Sequence, residues 1–381
     1  MRSIFARHVC ATAILAATLI PALPLRAQRW QVQYFYDKAK TSLNITDLMF
    51  LSEKRGIAVG SIVEGRREDP TSVVTNDGGA QWQVIPLKEP PISLFFLNES
   101  LGWMVTTKGL WQTTEAGRNW VKLPKLPNDV ARVCFLDEKR GWGIGGKKTV
   151  VETTDGGHVW TKLAAAAEPP GNPLYSAYNW IAFATPLDGI ITGFNLPPRL
   201  WGPDRPGWLD PQATLDQRDT PHLNYSLVTH DGGKSWHSNS ASLFGESTRV
   251  RFAKSGLGLG LVEYSQMFRY PSEAYKLEWK TNKSETVYKD SKFSVTDIWL
   301  TPDGTAYLAG TLSQGKLRNV IPGKVQVLTS KDFGAQGWTE MPVDYRAVAT
   351  RTWLSGVDDK NIWMATDNGM ILKLVPAKTE Q

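Results

Sequence analysis

Thr75-Asn76-Asp77-Gly78-Gly79-Ala80-Gln81-Trp82 decides the fold, because the chain repeats it. It returns as Thr113-Thr114-Glu115-Ala116-Gly117-Arg118-Asn119-Trp120, as Thr153-Thr154-Asp155-Gly156-Gly157-His158-Val159-Trp160 and as Thr229-His230-Asp231-Gly232-Gly233-Lys234-Ser235-Trp236. A looser copy, Ser330-Lys331-Asp332-Phe333-Gly334 with Trp338, carries one extra residue. Each box reads as a turn between two strands. Its Asp accepts backbone amides as a buried turn acceptor, its Gly takes a positive φ, and its Trp packs across the repeat with the indole N–H seeking a carbonyl. Asp77, Trp82, Glu115, Trp120, Asp155, Trp160, Asp231, Trp236, Asp332 and Trp338 are therefore expected to be structural rather than ligands of a metal. A hairpin returning at a period of about 40 residues is the mark of a ring of small sheets, a β-propeller.

A second landmark precedes each box, a strand ending in an aromatic or aliphatic anchor. The copies are Asp47-Leu48-Met49-Phe50, Ser93-Leu94-Phe95-Phe96, Arg132-Val133-Cys134-Phe135, Trp180-Ile181-Ala182-Phe183, Arg249-Val250-Arg251-Phe252, Asp297-Ile298-Trp299-Leu300 and Arg351-Thr352-Trp353-Leu354. Gly56, Gly102, Gly141, Gly189 and Gly256 open the strands that follow. Seven anchors predict seven blades, an all-β fold. The fifth unit keeps only a degenerate box at Thr281 to Tyr288. The last unit ends before a fourth strand, while Trp30-Gln31-Val32-Gln33 stands alone before the first and resembles Trp82-Gln83-Val84-Ile85. The expectation is that the N-terminal strand completes the last blade, closing the ring and removing its open edges.

Residues 1–27 read as a signal peptide. Arg2 and Arg7 precede a short apolar run from Ala11 to Leu23, and Leu25-Arg26-Ala27 offers a cleavage site. Residues 28–381 then form a single propeller domain, exported by the Sec route to the periplasm or the exterior, with no integral membrane segment after cleavage. The formal charge of +6 falls to +3 once Arg2, Arg7 and Arg26 are removed, a balance that gives no reason to expect nucleic acid. Cys134 is the one cysteine left and reads as a buried structural thiol. No zinc spacing or phosphate loop is present. The expectation is no cofactor, no metal and a monomer.

Function is sought in the loops and at the axis. Connections between second and third strands are long at Gly60 to Thr71, Phe194 to Leu223, Tyr264 to Glu273 and Thr311 to Lys324, on the rim opposite the boxes. The longest carries Arg199, Trp201 and Arg205, suited either to recognition or to plugging the ring's mouth. The first residue of each anchor, Asp47, Ser93, Arg132, Trp180, Arg249, Asp297 and Arg351, is expected to face the channel near the long-loop rim. Converging guanidinium groups there could grip a carboxylate, or Arg–Asp pairs could simply tie blades together. The candidate binding set is Arg132, Trp180, Arg249, Arg351, Asp47, Asp297, Arg199, Trp201 and Arg205, with no catalytic residue assigned.

The boxes match the Asp-box (BNR) repeat. With Arg140-Gly141-Trp142-Gly143-Ile144-Gly145-Gly146 and Leu101-Gly102-Trp103-Met104-Val105, they resemble the photosystem II stability/assembly-factor family of seven-bladed propellers. That resemblance implies a non-catalytic, chaperone-like factor whose partner is an exported or membrane protein, or an anionic ligand. The alternative is an exo-glycosidase of the Asp-box type, sialidase-like, with Arg132, Arg249 and Arg351 imitating an arginine triad. Against it, the Phe/Tyr-Arg-Ile-Pro motif of that class is absent, and the sequence alone assigns no Tyr–Glu pair.

Overall fold

The computed structural model describes residues 28–197, 221–264, 268–279, 281, 283–312 and 321–376. The signal-peptide segment and Arg199, Trp201 and Arg205 lie outside them. Seven antiparallel sheets follow one another, the first six running in chain order from the axis outward. The first is Ser42–Phe50, Gly56–Glu64, Arg67–Thr75 and Gln83–Pro86; the fifth is Gly245–Phe252, Leu257–Tyr264, Ser272–Glu278 and Lys283–Lys289. The helical content of the described residues is two short 3-10 turns, Ala164–Ala167 and Pro173–Tyr175.

Burial follows distance from the axis. Second strands such as Gly102–Thr106 and Ile362–Thr366 are buried at every residue, because neighbouring blades cover both faces. Outer strands such as Thr161–Lys162 are exposed and polar. Apolar clusters fill six of the seven seams between consecutive blades. Among the described residues none spans the seam between blades 4 and 5. Polar bonds join it instead: Asn179 Nδ2 donates to Ser247 O at 3.0 Å, Asn224 Nδ2 to Gly245 O at 2.8 Å, and Ser247 N to Asn224 Oδ1 at 3.1 Å.

The ring closes as the sequence predicts. Gln28–Phe35 pairs antiparallel with Met370–Pro376 and forms the outer strand of the seventh blade, Trp30 opposite Leu374. Trp30 is 1% exposed. Its backbone also reaches the sixth blade, with Trp30 N on Pro342 O at 2.8 Å and Asp344 N on Trp30 O at 2.9 Å. One segment thus supplies a strand and a clasp between two blades.

The box turns are built around the hydroxyl. Thr153 Oγ1 donates to Asp155 Oδ1 at 2.8 Å and accepts Gly157 N at 3.0 Å, while Asp155 Oδ1 accepts Val159 N at 2.9 Å and Trp160 Nε1 donates to Gly157 O at 3.0 Å. The Thr75, Thr229 and Ser330 turns repeat the hydroxyl bond to Asp and the amide bond from Gly. The expectation of a buried carboxylate is corrected: Asp77 and Asp155 are exposed, and the buried acceptors are Thr75 and Thr153. Glu115 holds the turn differently, through Asn119 Nδ2 at 2.7 Å. Box amides also bond to the preceding turn of their own blade, as in Gly78 N to Lys54 O and Gly156 N to Lys139 O, both 2.8 Å. Both kinds of turn therefore share one rim, the box rim.

The anchors form aromatic triplets. Phe50, Phe96, Phe135, Phe183 and Phe252 each meet a tryptophan edge-to-face, at 5.7 to 6.3 Å between centroids and 71° to 86° between planes. In the first four blades it is the box Trp. In the fifth, Trp279 at the end of the third strand takes that place, which explains how the degenerate box is tolerated. The other face of Phe50 stacks on Trp363 at 3.5 Å, and that of Phe135 on Trp103 at 3.7 Å, each from the preceding blade. The glycine opposite the anchor leaves room for its ring: a Cβ on Gly102 would stand 2.3 Å from Phe96, and one on Gly56 2.4 Å from Phe50.

Three expectations are corrected. In blade 5 the glycine against the anchor is Gly258, opposite Phe252, while Gly256 sits in the turn at φ 84°. Gly60 to Thr71 is not a loop but a ladder running from Gly60–Thr71 to Glu64–Arg67. In blade 7 the anchor is displaced by two residues. Trp353 pairs with Ala365 as Asp297 pairs with Ala309, so Trp353, not Arg351, is equivalent to Asp47. The local likeness of Thr352-Trp353-Leu354 to Ile298-Trp299-Leu300 suggested the wrong register.

Candidate functional site

A bulge precedes the anchor in six of the inner strands, with register shifts at Ile45/Asp47, Pro91/Ser93, Val130/Arg132, Tyr178/Trp180, Ser247/Arg249 and Val295/Asp297. The extra residue bends the strand and re-aims the side chain after it. The anchor side chains use that aim to cross to the next blade. Asp47 Oδ2 accepts Leu94 N at 2.9 Å, Ser93 Oγ donates to Ala131 O at 2.8 Å, Trp180 Nε1 donates to Val250 O at 2.8 Å and Asp297 Oδ2 accepts Leu354 N at 2.7 Å. Much of the predicted set thus ties blades together.

Arg132 and Arg249 do something else. Their guanidinium carbons lie 4.5 and 4.6 Å from the centroid of the Trp180 ring, and Arg251 lies 4.9 Å from it and 5.0 Å from Trp299. Arg249 Nε meets Asp297 Oδ1 at 3.1 Å, while Arg132 Nη1 stands 3.8 Å from Asp47 Oδ2. Both carboxylates are already engaged by backbone amides, because Asp47 Oδ1 also accepts Leu48 N at 3.0 Å. Arg251 Nε is buried without a hydrogen-bond partner. The cluster faces a cavity of about 520 Å³ on the axis, where Arg132, Arg249, Arg251 and Lys254 outnumber Asp47 and Asp297 by two charges. Burial lowers Arg132 below the usual guanidinium range, with Asp47 opposing, and takes Arg251 down to about 10. At that value Arg251 remains charged at neutral pH. A surplus of partly buried cations between aromatic walls has the chemistry to grip an anion.

The cavity is lined by the C-terminal halves of the inner strands and reaches Lys254, Pro302 and Val357 in the turns beyond them. It therefore leads to the box rim, not to the long-loop rim the sequence suggested. Arg351 is apart from it. Its Nη2 meets Glu263 Oε2 at 2.8 Å, and the two line a second groove, on the long-loop rim, that Arg249 also borders. The structure thus gathers Asp47, Arg132, Trp180, Arg249 and Asp297, and separates Arg351 from them. Sequence reasoning missed Arg251, Lys254 and Trp299. Arg251 was visible as the alternate residue of Arg249-Val250-Arg251, which strand alternation puts on the face of Arg249, but only the folded ring brings that face to Trp180 and Trp299. Burial pushes the Cys134 thiol up to about 12, so it is no nucleophile at neutral pH. Among the described residues no group of three His, Cys, Asp or Glu could hold a metal ion, and no helix is long and apolar enough to cross a membrane.

The geometry can be set beside known proteins. The photosystem II assembly lipoprotein Ycf48 of Synechococcus sp. (strain CC9902) is 20% identical over 306 residues, covering 78% of this chain and 77% of that protein. The solved structure "YCF48 bound to D1 peptide" superposes with a TM-score of 0.56 at 16% identity, covering 93% of this chain and 99% of the other. The chain resembles the photosystem II assembly-factor propellers. A second relative is the probable oligoxyloglucan-reducing end-specific xyloglucanase of Neosartorya fischeri, 27% identical over 217 residues, which are 55% of this chain but 23% of that enzyme. No protein-family model matches the chain. At these identities the solved structure speaks for the fold alone.

Proposed function

We propose that this chain is a non-catalytic exported propeller that captures an anionic segment of an exported or membrane protein, as an assembly or stability factor. The observation that carries the reading is the unspent positive charge on the axis: three guanidinium groups stacked about Trp180, with both neighbouring carboxylates already engaged. The likeness to Ycf48, and a Ycf48 structure that holds a D1 peptide, support a polypeptide partner. An acidic segment approaching from the box rim would exchange its hydration for bidentate guanidinium contacts between aromatic walls. Titration with acidic peptides ending in a free carboxylate tests it. Arg132→Gln with Arg251→Gln should weaken binding about tenfold or more, and affinity should fall as salt rises. Unchanged affinity in the folded double variant refutes the axial site.

One observation favours the glycosidase alternative. Tyr264 Oη donates to Glu273 Oε2 at 2.7 Å, a Tyr–Glu pair the sequence could not assign. The proposed triad is not assembled, however, since Arg351 is held by Glu263. Fluorogenic sialosides and xyloglucan oligosaccharides decide it: turnover by pure protein would make this an enzyme.

A further inference from the structure

We propose that the groove over the polar seam between blades 4 and 5 binds a neutral pyranoside ring of a glycan. It lies on the long-loop rim, between the end of one second strand at Phe194 and the start of the next inner strand at Gly245, and holds about 620 Å³. It is a different place from the axial cavity and does not depend on the reading above.

One wall is an aromatic platform. Phe268 packs between Tyr264, at 4.4 Å and 21°, and Phe244, at 5.3 Å and 25°. Phe244 is 42% exposed. Tyr264 is held in place by its bond to Glu273, which Lys289 Nζ meets at 2.6 Å. The Tyr264 end of the stack is therefore set before a ligand arrives, which lowers the ordering cost of binding. The exposed Phe244 ring at the end of that stack is an electron-rich surface that takes the C–H face of a sugar ring, since the ring quadrupole attracts positive edges.

Two polar side chains beside the platform, Glu246 and Thr248, are unspent among the described residues. Glu246 and Glu263 are direct partners across the ladder. Arg351 occupies Glu263 through both oxygens, at 2.8 and 3.1 Å. Glu246 accepts no hydrogen bond among the described residues. Burial, with Glu263 adding to it, pushes its carboxyl above the usual range. The Thr248 hydroxyl, 8% exposed, is buried without a partner and lines the same groove. A buried hydroxyl left unpaired costs free energy that a bound ligand can recover.

Charge decides the class of occupant. Glu246 and Glu263 balance Arg249 and Arg351 within the lining, so neither an anion nor a cation gains net attraction. What remains is hydrogen-bonding capacity beside a stacking face, the complement of an uncharged polyhydroxylated ring.

The experiment is a screen of the whole protein against an array of neutral oligosaccharides, with hits titrated by calorimetry. At least one should bind. Phe244→Ala and Glu246→Gln should each weaken it about tenfold or more, while Arg251→Gln in the axial cavity should leave it unchanged. Near-UV circular dichroism checks folding. If Phe244→Ala is perturbed, Phe244→Leu keeps apolar volume without the ring and should still lose affinity. Absence of any neutral binder, binding of charged ligands only, or full affinity in both groove variants overturns the proposal.

Discussion

The indole Nε1 of Trp363 donates to the carbonyl of Gly78 across 3.3 Å, joining the last blade to the box of the first. Trp103 makes the same bond to Gly156 at 3.1 Å, between blades 2 and 3. The seam that closes the ring is thus built by the rule that builds an internal seam. The same Trp363 ring stacks on Phe50, so one side chain links two blades by packing and by a hydrogen bond.

Closure should be essential to stability. Trp30→Ala removes a fully buried side chain from the cluster shared by blades 6 and 7 and should cost about 3–5 kcal/mol in chemical denaturation. Deleting residues 28–36 should also expose an edge strand and promote association, measurable by light scattering. A deletion that keeps the parent melting temperature and stays monodisperse would show that the strand is ornamental.

Within a box the hydroxyl should matter more than the carboxylate. Thr153→Ala leaves the Gly157 amide unpaired in a buried turn and should destabilise by about 1–3 kcal/mol. Asp155→Ala, at an exposed carboxylate, should cost less. Equal losses, or the reverse order, would contradict the geometry.

Acid should weaken the boxes in a defined direction. Asp77 and Asp155 sit below the ordinary range chiefly because backbone amides bond them, from Gln81 and Val159, and Asp332 chiefly because the Ser330 hydroxyl does. With folded values below unfolded ones, their stabilisation is complete above about pH 4 and is lost as pH falls through the folded values. Melting temperature should hold from pH 7 to 5 and fall below 4. An Asp77→Asn/Asp155→Asn/Asp332→Asn variant should show a shallower fall.

The axial arginines should differ in sign. Arg249→Met strands Asp297, 2% exposed at its side chain, without its cation, and should cost about 3–5 kcal/mol. Arg251→Met removes a half-buried cation that touches no carboxylate among the described residues, although Asp297 attracts it from a distance, and should be neutral or stabilising while weakening anion capture. Denaturation of the two variants in parallel tests this. A severe loss from Arg251→Met would mean that the residue serves the fold.

The anchor glycines should resist even a methyl group. Gly102→Ala drives a Cβ into the Phe96 ring and should cost about 1–3 kcal/mol. Adding Phe96→Leu should recover part of that loss, which a double-mutant cycle would measure. Strict additivity would mean that the close approach is not the cause.

The sequence by itself determined the architecture: the blade number, the rim that carries the boxes and the strand exchange at Trp30. These follow from local patterns, because a turn of Thr, Asp and Gly, or a Gly facing a Phe, uses residues within one hairpin. Tertiary structure decided the rest. That Trp353 rather than Arg351 stands at the seventh anchor is a matter of pairing register, which a slip of two residues leaves invisible in alternation. That Trp279 serves the fifth anchor in place of a box Trp depends on space, not on spacing. The axial cluster depends on bulges that leave no mark in composition, yet bring Arg132 of the third blade and Arg249 and Arg251 of the fifth onto Trp180 of the fourth. Which of those charges is spent on the fold and which is left for a partner is settled only when every nearby carboxylate and amide has been assigned. That accounting runs across blades, between residues far apart in the chain, and so exists only in the folded ring.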